Sequence, residues 1–458
     1  MTNWIDSIDL FAGGGGTSTG LAQACQELNR EVRLKAFNHW PRSIQTHKAN
    51  HPWAQHFCVR VDHVDPNTFV GDSKLRVLAA SPECRWHSNA RGGRPINDQE
   101  RVSAWSVLTW VEATMPETVL IENVKEFRHW GPIHPLDHPD KTKRGRPIKE
   151  KRGTIYEAFL KNLRAYGYNV EQEILCAADY GVPTSRERLF ILAHRGNRPI
   201  HWPTPTHTGD RQIHPERLPY VPARECIDFS IPTRPIWGRK TSTGKPADLE
   251  PSTLARIAAG MEKFWGIEFD SSKPCRGLSL EPFILVFRNN QTAHSLRDPL
   301  ATITTRGCNF GLVQPALTPF LIGQQSCSAP RSVKDPMPTI SSAGAISLIE
   351  PFLVKFHGNH GHRESGTNRV YSLDEPIRTL DTQNRFGLVQ PQFCPTTQAD
   401  DLYLLVPHFR MLAPRELAAA MSFPSDYIFT GNIGEQKKQI GNAVCPGLAR
   451  AIFREILA

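Results

Sequence analysis

Between Ile8 and Arg195 the chain alternates short apolar runs with amphipathic stretches, and no other feature restricts the fold as much. Val32 to Phe37, Val77 to Ala80, Thr118 to Ile121 and Leu189 to Ala193 read as strands. Residues 101–113 (Val102, Trp105, Leu108) and 154–165 (Ile155, Phe159, Leu163) carry apolar positions at helical spacing. This alternation predicts an α/β domain around a mostly parallel sheet. Sheets of this kind bind ligands outside the carboxyl ends of their strands, so the residues that follow each strand are where chemistry is expected.

After the first strand comes Asp9-Leu10-Phe11-Ala12-Gly13-Gly14-Gly15-Gly16-Thr17-Ser18-Thr19-Gly20-Leu21, four glycines leading into a helix with Leu21, Ala24, Cys25 and Leu28 on one side. Glycine lets a backbone approach a ligand closely, and a helix N-terminus offers free N–H groups. The spacing is neither GxGxxG with its usual acidic residue nor a P-loop. It reads as a generic nucleotide-like cofactor site, with a tight turn as the alternative.

The run Val77 to Ala80 ends in Ser81-Pro82-Glu83-Cys84-Arg85-Trp86-His87-Ser88. A cysteine there points a thiol toward the cleft, and Arg85 and Arg91 would favour its nucleophilic thiolate. Thr118 to Ile121 ends in Glu122-Asn123-Val124, which sets a carboxylate at the same edge. A cysteine nucleophile with a carboxylate that holds or supplies a proton makes a covalent-catalysis pair. Tyr180-Gly181-Val182-Pro183-Thr184-Ser185-Arg186-Glu187-Arg188 leads into the strand Leu189 to Ala193. Arg186 and Arg188 are expected to point to opposite faces, one to the active site and the other to a loop. Far downstream stand Arg415-Glu416, Phe423-Pro424-Ser425-Asp426-Tyr427 and Gly441-Asn442-Ala443-Val444-Cys445-Pro446.

In this order the segments resemble the DNA (cytosine-5) methyltransferase family: the Asp9–Gly20 cofactor loop, the Pro-Cys nucleophile at Pro82-Glu83-Cys84, Glu122-Asn123-Val124, Arg186-Glu187-Arg188, Arg415-Glu416 with Phe423–Tyr427, and Gly441–Val444. The resemblance covers residues 1 to about 200 and 405–458. It implies a Rossmann-like S-adenosylmethionine-dependent sheet with an inserted, mostly β target recognition domain. It assigns catalysis to Cys84, Glu122, Arg186 and Arg188. It assigns S-adenosylmethionine to Asp9, Phe11, Ala12, Gly13, Gly14, Gly15, Gly16 and Thr17, to His39, Asp62 and Pro82, and to Asn442, Ala443 and Val444. In the implied reaction Cys84 adds to C6 of a flipped-out cytosine, Glu122 contacts N3 and the amino group, and Arg188 holds O2. A methyl group then passes to C5. No metal is implied.

Three positions depart from the family pattern. Glu83 stands where a second proline is usual, which could raise the thiol pKa or orient Arg85. Thr184 replaces a glutamine. His39 replaces the acidic residue that holds the cofactor ribose; it could still bond a hydroxyl, or be a surface histidine.

The discontinuous catalytic domain is expected at 1–200 plus 405–458, and the recognition domain at 201–404. From 282 a repeat recurs. Pro282-Phe283, Pro319-Phe320 and Pro351-Phe352 each lead to an Asp-Pro or Glu-Pro segment, and Gly311-Leu312-Val313-Gln314-Pro315 reappears as Gly387-Leu388-Val389-Gln390-Pro391. This predicts short strands. The loops Arg288–Gln291 and His357–Arg363 carry side chains that read base edges. The 357–363 histidines would be a metal site only as a minor alternative. Residues 85–101 suit a loop that closes over substrate, and 131–152 is a basic run that could follow phosphates.

The chain carries 54 Lys+Arg against 45 Asp+Glu, net +9, which suits a polyanion such as double-stranded DNA. Neither a signal peptide nor an apolar run of membrane length is legible, so no membrane role and a cytoplasmic, nucleoid-associated location are expected. A monomer is expected; a cognate restriction endonuclease as its companion is left open by the sequence. Two alternatives stand beside this reading: an RNA cytosine-5 methyltransferase, and a non-catalytic DNA-binding protein on the same scaffold.

Overall fold

In a computed structural model of the chain, the described residues are 4–69, 74–82 and 103–259 (except 211, 237, 242, 252 and 256), the backbone of short strands between 283 and 395, and 403–458. Glu83, Cys84, Arg85, Arg91 and the 85–101 loop lie outside them, as do Arg288–Gln291 and His357–Arg363. The chain divides into two compact units, 1–182 with 187–206 and 421–458, and 183–186 with 207–420.

The first unit is built on a seven-stranded sheet: β1 (Trp4–Leu10), β2 (Glu31–Phe37), β3 (Gln55–Phe57), β4 (Val77–Ala80), β5 (Thr118–Asn123), β6 (Tyr168–Cys176) and β7 (Glu187–Arg195), in the order β3-β2-β1-β4-β5-β7-β6. Its helices are α1 (Gly16–Glu27), α2 (Pro41–Asn50), α3 (Ser103–Thr114) and α4 (Thr154–Ala165). Strands β1 to β5 pair in parallel, as the alternation of strands and helices predicts. β4 and β5 are buried at every position, which is what strands covered on both faces require. β7 is antiparallel to both β5 and β6. An apolar run alone does not reveal strand direction, so this inversion is not visible in the sequence.

One face of the sheet packs on α3 and α4. Ile8, Leu10, Leu78, Val119 and Ile121 meet Val107, Trp110 and Phe159 there. Phe37 anchors an aromatic cluster, 4.7 Å from Phe57 and 4.8 Å from Trp110 between ring centroids. The helices α5 (Pro414–Ala420), α6 (Ile433–Asn442) and α7 (Pro446–Leu457) end the described chain. α7 lies against α1 at very short range: a Cβ on Gly20 would stand 2.5 Å from Ala449 Cβ.

The second unit is mostly short strands. Strands from two of its segments pair with each other in parallel. Cys308–Val313 runs parallel to Asn384–Pro395 with Gly311 opposite Gly387, Leu312 opposite Leu388 and Val313 opposite Val389. Thr302 and Ile303 likewise stand opposite Thr379 and Leu380. Equivalent positions of the first and third repeats are thus direct neighbours in parallel sheets. Within this unit Arg410 and Glu416 form a buried bidentate ion pair, both contacts 2.8 Å.

Candidate active site

The switch point of the sheet lies between β1 and β4, because the chain winds outward to β2 and β3 and then returns to the far side of β1. Open sheets bind ligands at that crevice. Phe11 to Thr17 leave β1 there, Asn38 and His39 leave β2, and Ser81 and Pro82 leave β4. The Ser81 amide donates to Leu10 O at 3.2 Å, and the Ala12 amide to Phe37 O at 3.0 Å.

Glu122 occupies the carboxyl end of β5. Arg188 belongs to the antiparallel β7, whose first residues therefore lie at the same edge: Asn123 stands opposite Leu189. Arg188 Nε is 3.2 Å from Glu122 Oε1, with both side chains about nine-tenths buried. Register also fixes the face. Asp9, Ala79 and Leu120 are aligned across β1, β4 and β5, and Glu122 is two residues beyond Leu120. Asp9 and Glu122 thus share the face opposite the α3–α4 core.

The expectation for the two arginines needs correction. Residues two apart in a strand point the same way, so alternation cannot send Arg186 and Arg188 to opposite faces. They differ because β7 begins at Glu187, leaving Arg186 outside the strand. Arg186 is buried and clusters with the second unit, whereas Arg188 belongs to the first. Asn123 has a role that its motif did not disclose. Its Nδ2 donates to Pro82 O at 3.2 Å, and its Oδ1 accepts from the Val124 amide at 2.9 Å. This ties β5 to the backbone two residues before Cys84.

The glycines have a reason that the sequence did not supply. Gly15 (φ +88°) leaves no room for a side chain, since a Cβ would be 2.4 Å from the Tyr427 hydroxyl and 3.0 Å from His51 Cε1. A Cβ on Gly16 would be 2.0 Å from Val444 O. These two glycines admit protein, not ligand, and they close the loop against the Ala443–Val444 turn. Asn442, the last residue of α6, is exposed, while Ala443 and Val444 are buried. His39 is exposed. Asp62 is exposed too, and Arg60 holds it with contacts of 2.7 and 3.1 Å that keep its carboxyl below the usual range.

Beneath the loop lies a polar cluster. Asp9, Ser18, His47 and His51 are each at most 3% exposed. Ser18 Oγ donates to Asp9 Oδ2 at 2.5 Å, and His47 Nε2 meets Ser18 Oγ at 2.9 Å. Burial pushes Asp9 up to about 7 and His51 down to about 4.

Residues 5–136, 145–225 and 352–458 match the C-5 cytosine-specific DNA methylase family. The chain belongs to that family. It is a DNA (cytosine-5) methyltransferase. Type II methyltransferase M.AgeI of Thalassovita gelatinovora is 26% identical over 479 residues, 99% of each chain. DNA (cytosine-5)-methyltransferase PliMCI of Paracentrotus lividus is 23% identical over 99% of this methyltransferase, which spans 28% of that longer protein. Among solved structures, the methyltransferase EhMeth of Entamoeba histolytica aligns with a TM-score of 0.48 at 12% identity, covering 99% of this chain and 98% of its own. Among the described residues of the methyltransferase, no helix is long and apolar enough to cross a membrane.

Proposed function

We propose that this chain methylates C5 of a flipped-out cytosine in double-stranded DNA through a covalent bond between Cys84 Sγ and C6. The observation that carries this reading is the buried Glu122–Arg188 pair, 3.2 Å apart, at the edge where Asn123 secures Pro82. A carboxylate and a guanidinium so placed can grip one planar ring from two sides. Glu122 contacts N3 and the amino group of the base, and Arg188 contacts O2. Addition of the thiolate at C6 sends the electron pair of the ring double bond toward C5 and makes C5 nucleophilic. After methylation, loss of the C5 proton and departure of Cys84 restore the double bond. The base must leave the stack because a duplex hides the attacked face.

The crevice at β1 fits S-adenosylmethionine, which supplies an electrophilic methyl group when bound. α1 starts with no side-chain cap and no acidic residue in its first turn, so among the described residues no side chain occupies the end of the helix. Phe11 stands in the left-handed region, φ 61°, and Asp9 Oδ1 is buried without a partner among the described residues. Phe11 to Gly13, His39, Pro82 and Ala443 would hold the cofactor.

The second unit takes the role of target recognition, with its repeat loops as readers. Residues 132–148 add a folded basic hairpin: Ile133 bridges Pro147, and the His134 amide donates to Arg146 O at 2.8 Å. Lys141, Lys143, Arg146, Lys149 and Lys151 on and beside it suit a phosphate backbone. A monomeric cytoplasmic enzyme with a cognate restriction endonuclease completes this reading.

The test is Cys84→Ser together with trapping on 5-fluorocytosine duplex. The parent should form a stable adduct with duplex DNA and leave tRNA unmodified, and Cys84→Ser should form none. Undiminished methylation by Cys84→Ser would refute the mechanism, and preferential methylation of tRNA would refute the substrate.

A further inference from the structure

The cluster beneath the glycine loop is a continuous hydrogen-bonded chain. It starts at half-buried His56 on β3, whose Nε2 is 2.9 Å from His47 Nδ1. It continues from His47 Nε2 to Ser18 Oγ at 2.9 Å and ends at Asp9 Oδ2 at 2.5 Å. His47 is fully buried at the centre, so each of its ring nitrogens faces one partner.

With both histidines neutral and any Asp9 proton on Oδ2, such a chain has two complete arrangements. With Asp9 protonated, Asp9 donates to Ser18, Ser18 to His47 Nε2, and His47 Nδ1–H to His56. With Asp9 ionised every donor reverses: His56 Nε2–H donates to His47 Nδ1, His47 Nε2–H to Ser18, and Ser18 to Asp9. One proton entering at His56 and passing along three bonds converts the second into the first, with both histidines neutral in each. Ser18 sits in the first turn of α1, directly after the glycines. His47 Cδ2 and His51 Cε1 back Gly15 at 3.3 and 3.0 Å from where a Cβ would stand. Thr19 Oγ1 bonds Gly15 O at 2.7 Å and His51 Nε2 at 3.1 Å. The Tyr427 hydroxyl donates to Gly14 O at 2.6 Å.

We propose that His47 is a positioning residue for the Gly13–Gly16 loop, and that the direction of the His56–His47–Ser18–Asp9 chain couples the loop's grip on S-adenosylmethionine to one proton. The cofactor part rests on the methyltransferase reading above. The charged and titratable groups facing the chain are Tyr427 near Asp9, His51 beside His47, and Lys48 beside His56. Burial is the main influence on Asp9, His47 and His56. It favours the neutral form of each, raising Asp9 and lowering both histidines.

Two measurements on the full chain test this. Calorimetric binding of S-adenosylhomocysteine between pH 6 and 8, in two buffers of different ionisation enthalpy, should show proton exchange and an affinity change of about three- to tenfold. Asp9→Asn should flatten that pH dependence. His47→Gln should weaken binding about tenfold, whereas His201→Gln, at an exposed position outside the proposed site, should leave the proton exchange intact. In the ligand-free chain, hydrogen exchange at the Gly15 and Thr19 amides should be at least tenfold faster in His47→Gln, with melting still cooperative. If His47→Gln does not fold, His56→Gln at the half-buried end gives the same comparison. Binding without proton exchange, or loop amides indifferent to both substitutions, would overturn the proposal. Failure of the parent to bind the ligand would count against the methyltransferase reading, and hydrogen exchange would still decide the role of His47.

Discussion

Glu416 in the second unit and Asp9 in the first are both carboxylates at most 2% exposed, yet their surroundings differ. Glu416 accepts from both terminal nitrogens of Arg410 at 2.8 Å and from the amides of Asp228 and Ala413 at 2.9 and 2.6 Å. Asp9 accepts from Ser18 alone, and its Oδ1 has no partner among the described residues. A buried charge with a full set of donors is fixed, and removing it strands its partner. A buried carboxyl with half a set stays adjustable, because burial raises its proton affinity toward the working pH. Near-identical burial therefore serves a joint in one region and a chemically responsive group in the other. Glu122, 3.2 Å from the Arg188 guanidinium, is a third buried carboxylate to set beside these two.

Glu416→Ala provides the hardest test of this contrast. It leaves the Arg410 charge buried and uncompensated, and should cost about 3–5 kcal/mol in urea unfolding. A loss under about 1 kcal/mol would erase the distinction. Glu122→Gln should slow single-turnover methylation by roughly 10²-fold while changing stability by less than about 1 kcal/mol. The reverse pattern would move Glu122 into the same class as Glu416.

Asp9→Asn should act in the opposite sense to Glu416→Ala. The Asp9 carboxyl is raised from 3.8 to about 7 in the folded chain, so the folded state holds a proton that the unfolded state has released. Parent stability therefore falls as pH rises from about 4 to 7. The variant should be more stable than the parent at pH 8, by about 1–3 kcal/mol, and similar to it near pH 4. Denaturation at the two pH values measures this directly. The smallest effect is expected from His51, which burial lowers from 6.5 to about 4. Its neutral form contributes stability above pH 6.5 that is lost as pH falls toward 4. His51→Gln should recover about 1 kcal/mol of that loss at pH 5.5.

Much of the first unit was legible because periodicity reports burial. The apolar spacing of 154–165 gave α4 its limits, and the runs ending at Ala80 and Ile121 gave β4 and β5, with Glu122 at the edge. What was not legible depended on partners far away in sequence. The inversion of β7 leaves no trace in an apolar run, and with it went the placement of Arg186 outside the strand. The glycines signalled a close approach without saying to what, and Gly16 turned out to face Val444. Glu416 was visible as part of a motif, but its bond to Arg410 was not. His47 and His51 lie one helical turn apart, so a shared face could have been noticed, but only the fold brings Ser18 and His56 to them.

The contact between Gly16 and Val444 joins segments more than four hundred residues apart. On a ribosome adding about 5–20 residues per second, the loop would wait roughly 20–90 s for the turn that closes it. Until residue 444 has emerged from the exit tunnel, Gly16 lacks the backbone it packs against. The order of synthesis thus acts as a safeguard: a growing or prematurely terminated chain can build most of its sheet, but it lacks the backing of the loop on which cofactor binding is proposed to depend.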